Sequence, residues 1–220
     1  MRNQNFQSLF TNKIFITMES NLTHEQSLTL INEMINRARN NVQKGRMYSM
    51  IYWGYTTAAI AILNYILLHV LNNPNHSFWA WCLMFPAGIV SYFIDRYINQ
   101  KVLVKTHIDK IGDMVWKGYT IGVIVFLATI FAVAFRHQTP IMFVLTTPII
   151  LIMVGICEFT SAWIYRYKPW FVVAALFWVG AIGCAFLRAD YHFFVLAVCM
   201  ILGFVVPGHI LNYQAKKSHV

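Results

Sequence analysis

A small number of polar side chains stand inside long apolar stretches of this chain, and they are its best candidates for chemistry. Glu158 leads because a charge at the centre of a bilayer costs at least about 2.5 kcal/mol, and His209, Asp95 and Asn212 occupy similar positions in other stretches. If these stretches cross a membrane, all four residues lie toward the same side. The pattern predicts an inner-leaflet polar layer in which Glu158 and His209 could exchange a proton.

The same residues also have a purely structural interpretation. Glu158 could extend toward the membrane surface or pair with an arginine there, and His209 could be a hydrogen-bonded residue at a helix end. A proton relay, a solute site and a metal site remain the functional alternatives. The histidines do not form the H-E-x-x-H pattern of a zinc enzyme. We expect no cofactor and no bound metal.

Catalytic motifs are missing from the sequence. No nucleophile and base stand at a recognisable spacing, so we expect that the protein is not an enzyme. The four cysteines fall in four different apolar stretches without C-x-x-C spacing. Buried thiols usually pack as small hydrophobic groups, and this is the interpretation we favour.

Six apolar stretches must position these side chains. Only 11% of the residues are charged, against about 25% in soluble domains, and each stretch approaches the roughly 20 residues that cross a bilayer. Backbone groups in lipid must be satisfied within the segment, which favours helices. The predicted fold is all-α, a polytopic bundle within residues 47–214, with spans at about 49–71, 78–98, 118–135, 140–164, 169–187 and 191–213.

Short matches between these spans suggest an internal order. A Gly-Tyr-Thr run occurs at 54–56 and again at 118–120, which is compatible with three helical hairpins. The even-numbered spans contain Pro86, Pro148 and Pro207, and a proline inside a helix removes one backbone hydrogen bond. We therefore expect kinks in these three spans.

Basic residues define the predicted orientation. Of the 17 Lys and Arg residues, all but Arg136 and Arg188 fall before the first span, in the second and fourth connections, or after the last span. By the positive-inside rule these segments are cytoplasmic. We predict a multi-pass protein of the inner, cytoplasmic membrane with both termini in the cytoplasm. The net charge of +9 then reflects topology and contact with lipid headgroups, and we expect no nucleic-acid partner.

An amphipathic helix is predicted before the first span, within residues 23–46. Thr23 and Gln26 have the spacing of a capping box, and one apolar stripe follows at helical spacing. The stripe consists of Leu28, Ile31, Ile35, Ala38 and Val42. It could lie on the membrane or against the protein's own cytoplasmic connection, or it could bind a cytoplasmic partner or a second copy of the chain.

The predicted boundaries leave short terminal segments. Residues 1–22 are expected to be a disordered tail, and residues 1–17 would not belong to the protein if Met18 is the true start. Residues 215–220 are expected to form a cytoplasmic tail. The first 17 residues lack the unbroken apolar region of a cleavable signal peptide, so the first span is expected to target the protein to the membrane.

Two segments resemble a family of small bacterial integral membrane proteins whose activity is uncharacterised. They are GICEFTSA at 155–162, followed by YRYKP at 165–169, and LGFVVPGHIL at 202–211. The resemblance implies a six-span inner-membrane protein and no particular activity. Glu158 and His209 depart from the family pattern, which makes them candidates for a local specialisation.

Two functional hypotheses follow. The first is a non-enzymatic protein that binds a partner, acts as a scaffold or relays a membrane signal through the amphipathic helix. The alternative is a small proton- or ion-coupled transporter or channel subunit that uses the layer around Glu158 and His209. A lipid-modifying membrane enzyme is the weakest interpretation because no catalytic constellation supports it.

Overall fold

The computed structural model describes residues 24–71, 74–99, 107–137 and 140–217. Within these ranges the structured elements are all helical and no strand is present, which confirms the all-α prediction. The chain divides into two compact units, residues 1–41 and 42–220. The first contributes the beginning of the first helix to the described structure, and the second contains all the other elements.

Seven α-helices follow one another along the described chain. They are α1 (His24–Val70), α2 (Met84–Asn99), α3 (His107–His137), α4 (Thr146–Tyr165), α5 (Pro169–Cys184), α6 (His192–Met200) and α7 (Val206–Lys217). Short 3₁₀ helices occupy Pro74–Leu83, Pro140–Leu145 and Ala189–Tyr191, and a π-helical turn occupies Ile201–Val205. Helix α7 continues to Lys217, so it includes the first residues of the predicted C-terminal tail.

Four helical segments in the described structure are long and apolar enough to cross a membrane. They are Tyr48–Val70, His107–His137, Phe143–Tyr165 and Ala189–Tyr213. The predicted count of six is not confirmed. The stretch predicted at 78–98 begins in a 3₁₀ helix and leaves α2 with 16 residues, and the stretch at 169–187 forms α5, also of 16 residues.

Helices α3, α4 and α5 pack side by side with alternating direction. Gly122 of α3 lies against Met153 of α4, and nearer the other end of the pair Phe131 lies 5.2 Å from Phe143, measured between ring centroids. Between α4 and α5, the indole N–H of Trp178 donates to the carbonyl oxygen of Ile152 over 3.4 Å. Each pair is therefore antiparallel.

Helix α1 is antiparallel to both the last helical segment and the segment that follows α1. Gly54 of α1 contacts Val205 in the π-helical turn, and Gly208 of α7 contacts Ile51. On another side of α1, the hydroxyl of Tyr52 donates to the carbonyl oxygen of Ala87 over 2.7 Å.

These pairings give residues 42–220 two distinct ends. One end holds the start of the α1 membrane segment near residue 48, the end of α2, the α4–α5 turn and the end of α7. Basic residues collect there: Arg96, Lys110, Arg166, Lys168, Lys216 and Lys217. Arg136 and Arg188 lie at the opposite end. We call the two ends the basic end and the opposite end.

The three prolines mark places where the helix type changes. Pro86 and Pro148 each lie in the first turn of an α-helix that follows a 3₁₀ helix, where a missing N–H is tolerated. Pro207 follows the π-helical turn, which widens the backbone just where the proline ring would crowd the carbonyl four residues earlier. The sequence predicted kinks in the middle of three spans. In the structure each proline instead lies where a 3₁₀ or π-helical segment changes to an α-helix.

A buried polar contact attaches the 3₁₀ helix Pro74–Leu83 to α1. Asn64 is fully buried. In the amide orientation that satisfies its neighbours, its nitrogen donates to the Ser77 hydroxyl (3.1 Å) and carbonyl (2.8 Å), while its oxygen accepts from the Trp81 indole (3.0 Å). All three residues fall within the apolar part of the bundle, where unsatisfied polar groups are costly.

Candidate functional site

Glu158 belongs to the buried stripe of α4. The stripe recurs at spacings of four and three residues and consists of Thr147, Leu151, Val154, Glu158 and Ser161. Such spacing places side chains on one helix face, so the pattern that buries Leu151 and Val154 also buries Glu158, which is 2% exposed. Ser161, one turn farther toward the basic end, is fully buried.

Close helix contacts surround this part of α4. Gly155 has no side chain, and the indole of Trp178 from α5 occupies the space where a Cβ would stand. Nearer the basic end, the Tyr165 hydroxyl meets Gly112 of α3 in the same way. Both Glu158 and Ser161 make interactions within the protein. Glu158 is therefore held in a packed interior.

His209 lies in a different environment. It is on the exposed side of α7, where its Nε2 atom is 3.2 Å from the hydroxyl oxygen of Tyr55 on α1. The two rings meet nearly edge to face, with centroids 6.0 Å apart. The structure thus brings His209 to Tyr55, while Glu158 stands on a buried face of α4. Proton exchange between Glu158 and His209 stays a prediction.

The other two predicted site residues are half-buried. Asp95 lies in the last turns of α2 and interacts within the protein, and Asn212 lies near the end of α7. Both are toward the basic end. The four residues therefore share an end of the bundle but differ in burial, and the polar layer remains a prediction.

The opposite end contains a polar group that sequence reasoning missed. His192, the first residue of α6, is 4% exposed. Its Nε2 atom is 2.8 Å from the carbonyl oxygen of Cys184, and its Nδ1 atom is 3.2 Å from the carbonyl oxygen of Val144. The available signal was a histidine at the start of a strongly apolar stretch, directly after the turn residues at 188–190.

A second histidine lies at the same turn. His69 of α1 has Nδ1 2.9 Å from the Tyr65 carbonyl oxygen and Nε2 4.0 Å from an Asp190 carboxylate oxygen. Arg188 approaches that oxygen within 3.4 Å, although its own side chain is 82% exposed. Tyr65 also lies beside Tyr191, with ring centroids 6.1 Å apart.

Histidine, cysteine and carboxylate side chains are the groups through which proteins bind metal ions. Among the described residues, no three His, Cys, Asp or Glu side chains are grouped closely enough to hold a metal ion. The cysteines are free thiols, with Cys82 exposed and Cys157, Cys184 and Cys199 buried. Burial of the last three is compatible with packing as small hydrophobic groups, whereas Cys82 is not buried.

Much of the predicted amphipathic surface lies outside the described residues. The described part of helix α1 begins at His24, and Thr23 of the predicted capping box lies outside the described residues. Leu28 is 61% exposed. The side chains of Ile31, Ile35, Ala38 and Val42 are not described, and neither are residues 1–23 and 218–220.

Comparison with known proteins yields no match. No family model, curated protein or solved structure corresponds to this chain. The resemblance of segments 155–169 and 202–211 to small bacterial membrane proteins stays a prediction. The described residues with chemical potential are two buried carboxyl groups near the basic end, Glu158 and Asp109, and two histidines that face acceptor oxygens at the opposite end, His192 and His69.

Proposed function

We propose that this protein is a non-enzymatic membrane protein that binds a cytoplasmic partner and relays the state of its helical bundle to that partner. The observation that carries the proposal is the continuity of α1, which is helical from His24 to Val70. This helix contains the first candidate membrane segment, Tyr48–Val70, and the predicted partner-binding segment, residues 23–46, precedes that segment directly in the sequence.

The membrane part of α1 is firmly attached to its neighbours, which supports a relay. Gly54 and Ile51 contact the last helical segment, and Asn64 holds the 3₁₀ helix that precedes α2. A rearrangement of either neighbour would act on α1 directly. In this proposal residues 24–44, which precede the membrane segment directly in the sequence, are the part that the partner binds.

We further propose six membrane crossings. The helical segment Pro74–Asn99 combines ten 3₁₀ residues with 16 α-helical ones. At about 2.0 Å per 3₁₀ residue and about 1.5 Å per α residue, it extends roughly 44 Å, more than the ~30 Å of hydrocarbon. Helix α5 reaches only about 24 Å, a mismatch that local thinning of the bilayer can accommodate.

The proposed location is the inner membrane of a bacterium, with the basic end in the cytoplasm. Support comes from the separation of the basic residues between the two ends of the bundle. In a variant without the four native cysteines, Arg188→Cys should react with a membrane-impermeant maleimide added outside sealed cells. Lys168→Cys should react only in inverted vesicles, and labelling of both variants from the same side would reject this topology.

Partner binding can be tested with the apolar stripe. We expect the combined change Leu28→Ser, Ile31→Ser and Ile35→Ser to abolish the cross-linked species that wild-type protein forms in membranes. Gln26→Ser with Asn40→Ser is the control, because these positions fall on the opposite helix face. If the stripe variant cross-links like wild type, the proposal of a partner at this surface is wrong.

Transport is a second candidate because Glu158 is buried within the apolar part of α4. A carboxyl group that gains and loses a proton in the interior would couple proton movement to a change in packing. In proteoliposomes, Glu158→Gln should abolish a proton flux that Asp113→Asn preserves, since Asp113 is an exposed acid of α3. Wild-type protein without any flux would reject this function.

A further inference from the structure

His192 occupies an unusual hydrogen-bonding position at the opposite end of the bundle. Both nitrogens of its buried ring face carbonyl oxygens, that of Cys184 at 2.8 Å and that of Val144 at 3.2 Å. Cys184 is the last residue of α5, and Val144 lies in the 3₁₀ helix that leads into α4. One imidazole therefore bridges three elements: the 3₁₀ helix Pro140–Leu145, α5 and α6.

The protonation state of the ring decides whether this bridge is complete. A carbonyl oxygen only accepts hydrogen bonds, and a neutral imidazole has a single N–H to donate. In the neutral ring, therefore, the lone pair of the second nitrogen would face a carbonyl oxygen, and that contact would be repulsive. An imidazolium ion donates to both.

His69 places a second imidazole between acceptors at the same turn. Its nitrogens face the Tyr65 carbonyl oxygen and the Asp190 carboxylate, which also meets Arg188. Protonation of His69 would strengthen its attraction to Asp190, two residues before His192. Both histidines thus act on the segment that joins α5 to α6.

Other ionisable groups at this end are few in the described structure. Cys184 and Cys199 are the ionisable side chains of α5 and α6 that lie near the bridge, and both are buried thiols. The 3₁₀ helix Pro140–Leu145 has no ionisable residue. Helix α3, which packs against that 3₁₀ helix, ends in Arg136 and His137, both exposed.

We infer that His192 is a proton-dependent clamp that joins the α5–α6 turn to the beginning of α4. The protonated ring closes the clamp by donating to both carbonyl oxygens. When the ring loses its proton, one contact becomes repulsive, and the turn and the 140–145 segment separate more readily. The clamp is therefore closed at low pH and opens as pH rises. The clamp involves neither a bound partner nor a transported solute, so this inference goes beyond the proposed function.

Amide hydrogen exchange in lipid nanodiscs tests the clamp in the full-length protein. After correction for the intrinsic pH dependence of exchange, protection of residues 140–147 and 185–192 should increase on the order of fivefold from the alkaline to the acidic end of a pH series, the effect of one net hydrogen bond. Because His69 contacts Asp190 in the same segment, the variants are compared in a His69→Phe background, where His192→Phe should remove this increase. His137→Phe, an exposed histidine at the end of α3, should retain it.

Two results would overturn the inference. One is a wild-type protein whose protection in these segments does not change with pH, and the other is a His192→Phe variant that retains the full change. If His192→Phe fails to fold, nitrogen-15 NMR of the wild-type imidazole decides the question. The clamp requires both ring nitrogens to carry protons at the acidic end of the series, and a neutral ring throughout would contradict it.

Discussion

Gly54 of α1 and Val205 of the π-helical turn touch so closely that a Cβ on Gly54 would lie 2.8 Å from the Val205 Cγ2 atom. The Phe204 Cβ atom would be 2.9 Å away from the same position. Small residues at helix interfaces allow this approach in membranes, where packing rather than the hydrophobic effect drives association. The contact attaches the first membrane segment to the last.

We expect Gly54→Ala to destabilise the bundle by about 1–3 kcal/mol, the usual cost of overpacking. Gly118→Ala is the control, because no atom lies within 4 Å of a Cβ at Gly118. That change should be neutral or stabilising by up to about 1 kcal/mol, since alanine favours the helix. Unfolding in detergent micelles would measure both, and equal effects would contradict close packing at Gly54.

The fully buried Asn64 should be sensitive to loss of its hydrogen bonds. Asn64→Leu keeps a similar volume but leaves the Trp81 indole and Ser77 without this partner, and we expect a cost of about 1–3 kcal/mol for each buried group that remains unsatisfied. Ser77→Ala removes a single contact and should cost less. A double-mutant cycle would show coupling between the two positions, whereas additive effects would argue against the contact.

Phe177 connects α5 to the π-helical turn. Its ring occupies the space beside Gly203 and lies 5.4 Å from the ring of Phe204, measured between centroids. Because Phe177 is fully buried, we expect Phe177→Ala to cost about 3–5 kcal/mol. Phe186→Ala is the control, as Phe186 is 85% exposed. Thermal unfolding of the two variants should separate them clearly.

Sequence reasoning predicted the class and most helices because hydrophobic length and charge position are local properties. The segment Tyr48–Val70 agrees with its predicted span within one residue at each end. Helical pitch was not predictable in the same way. The π-helical turn before Pro207 depends on contacts of Gly203 and Val205 with other helices, and a list of apolar residues does not contain those contacts.

The candidate site shows the same limit at the level of side chains. Burial of Glu158 follows from its place in the α4 stripe, which the sequence displays. The partner of His209 does not follow from the sequence, because residues at equal depth can face any direction around a helix axis. In the structure His209 contacts Tyr55. His192 was missed because its partners are backbone carbonyls, which have no side-chain signature.

Asp190 offers a test of how much an exposed ion pair contributes at the opposite end. Its carboxylate lies 3.4 Å from Arg188 and 4.0 Å from His69, whose side chains are 82% and 48% exposed. Solvent-exposed pairs typically contribute about 0–1 kcal/mol because water and salt screen them. We therefore expect Asp190→Asn to change the unfolding free energy by less than about 1 kcal/mol, far less than Phe177→Ala. Arg188→Gln removes the other partner of the ion pair and should have an equally small effect.

The measurement is unfolding in micelles at low and high salt. A loss comparable to that of Phe177→Ala would mean that Asp190 stabilises the α1 contact through more than a screened ion pair.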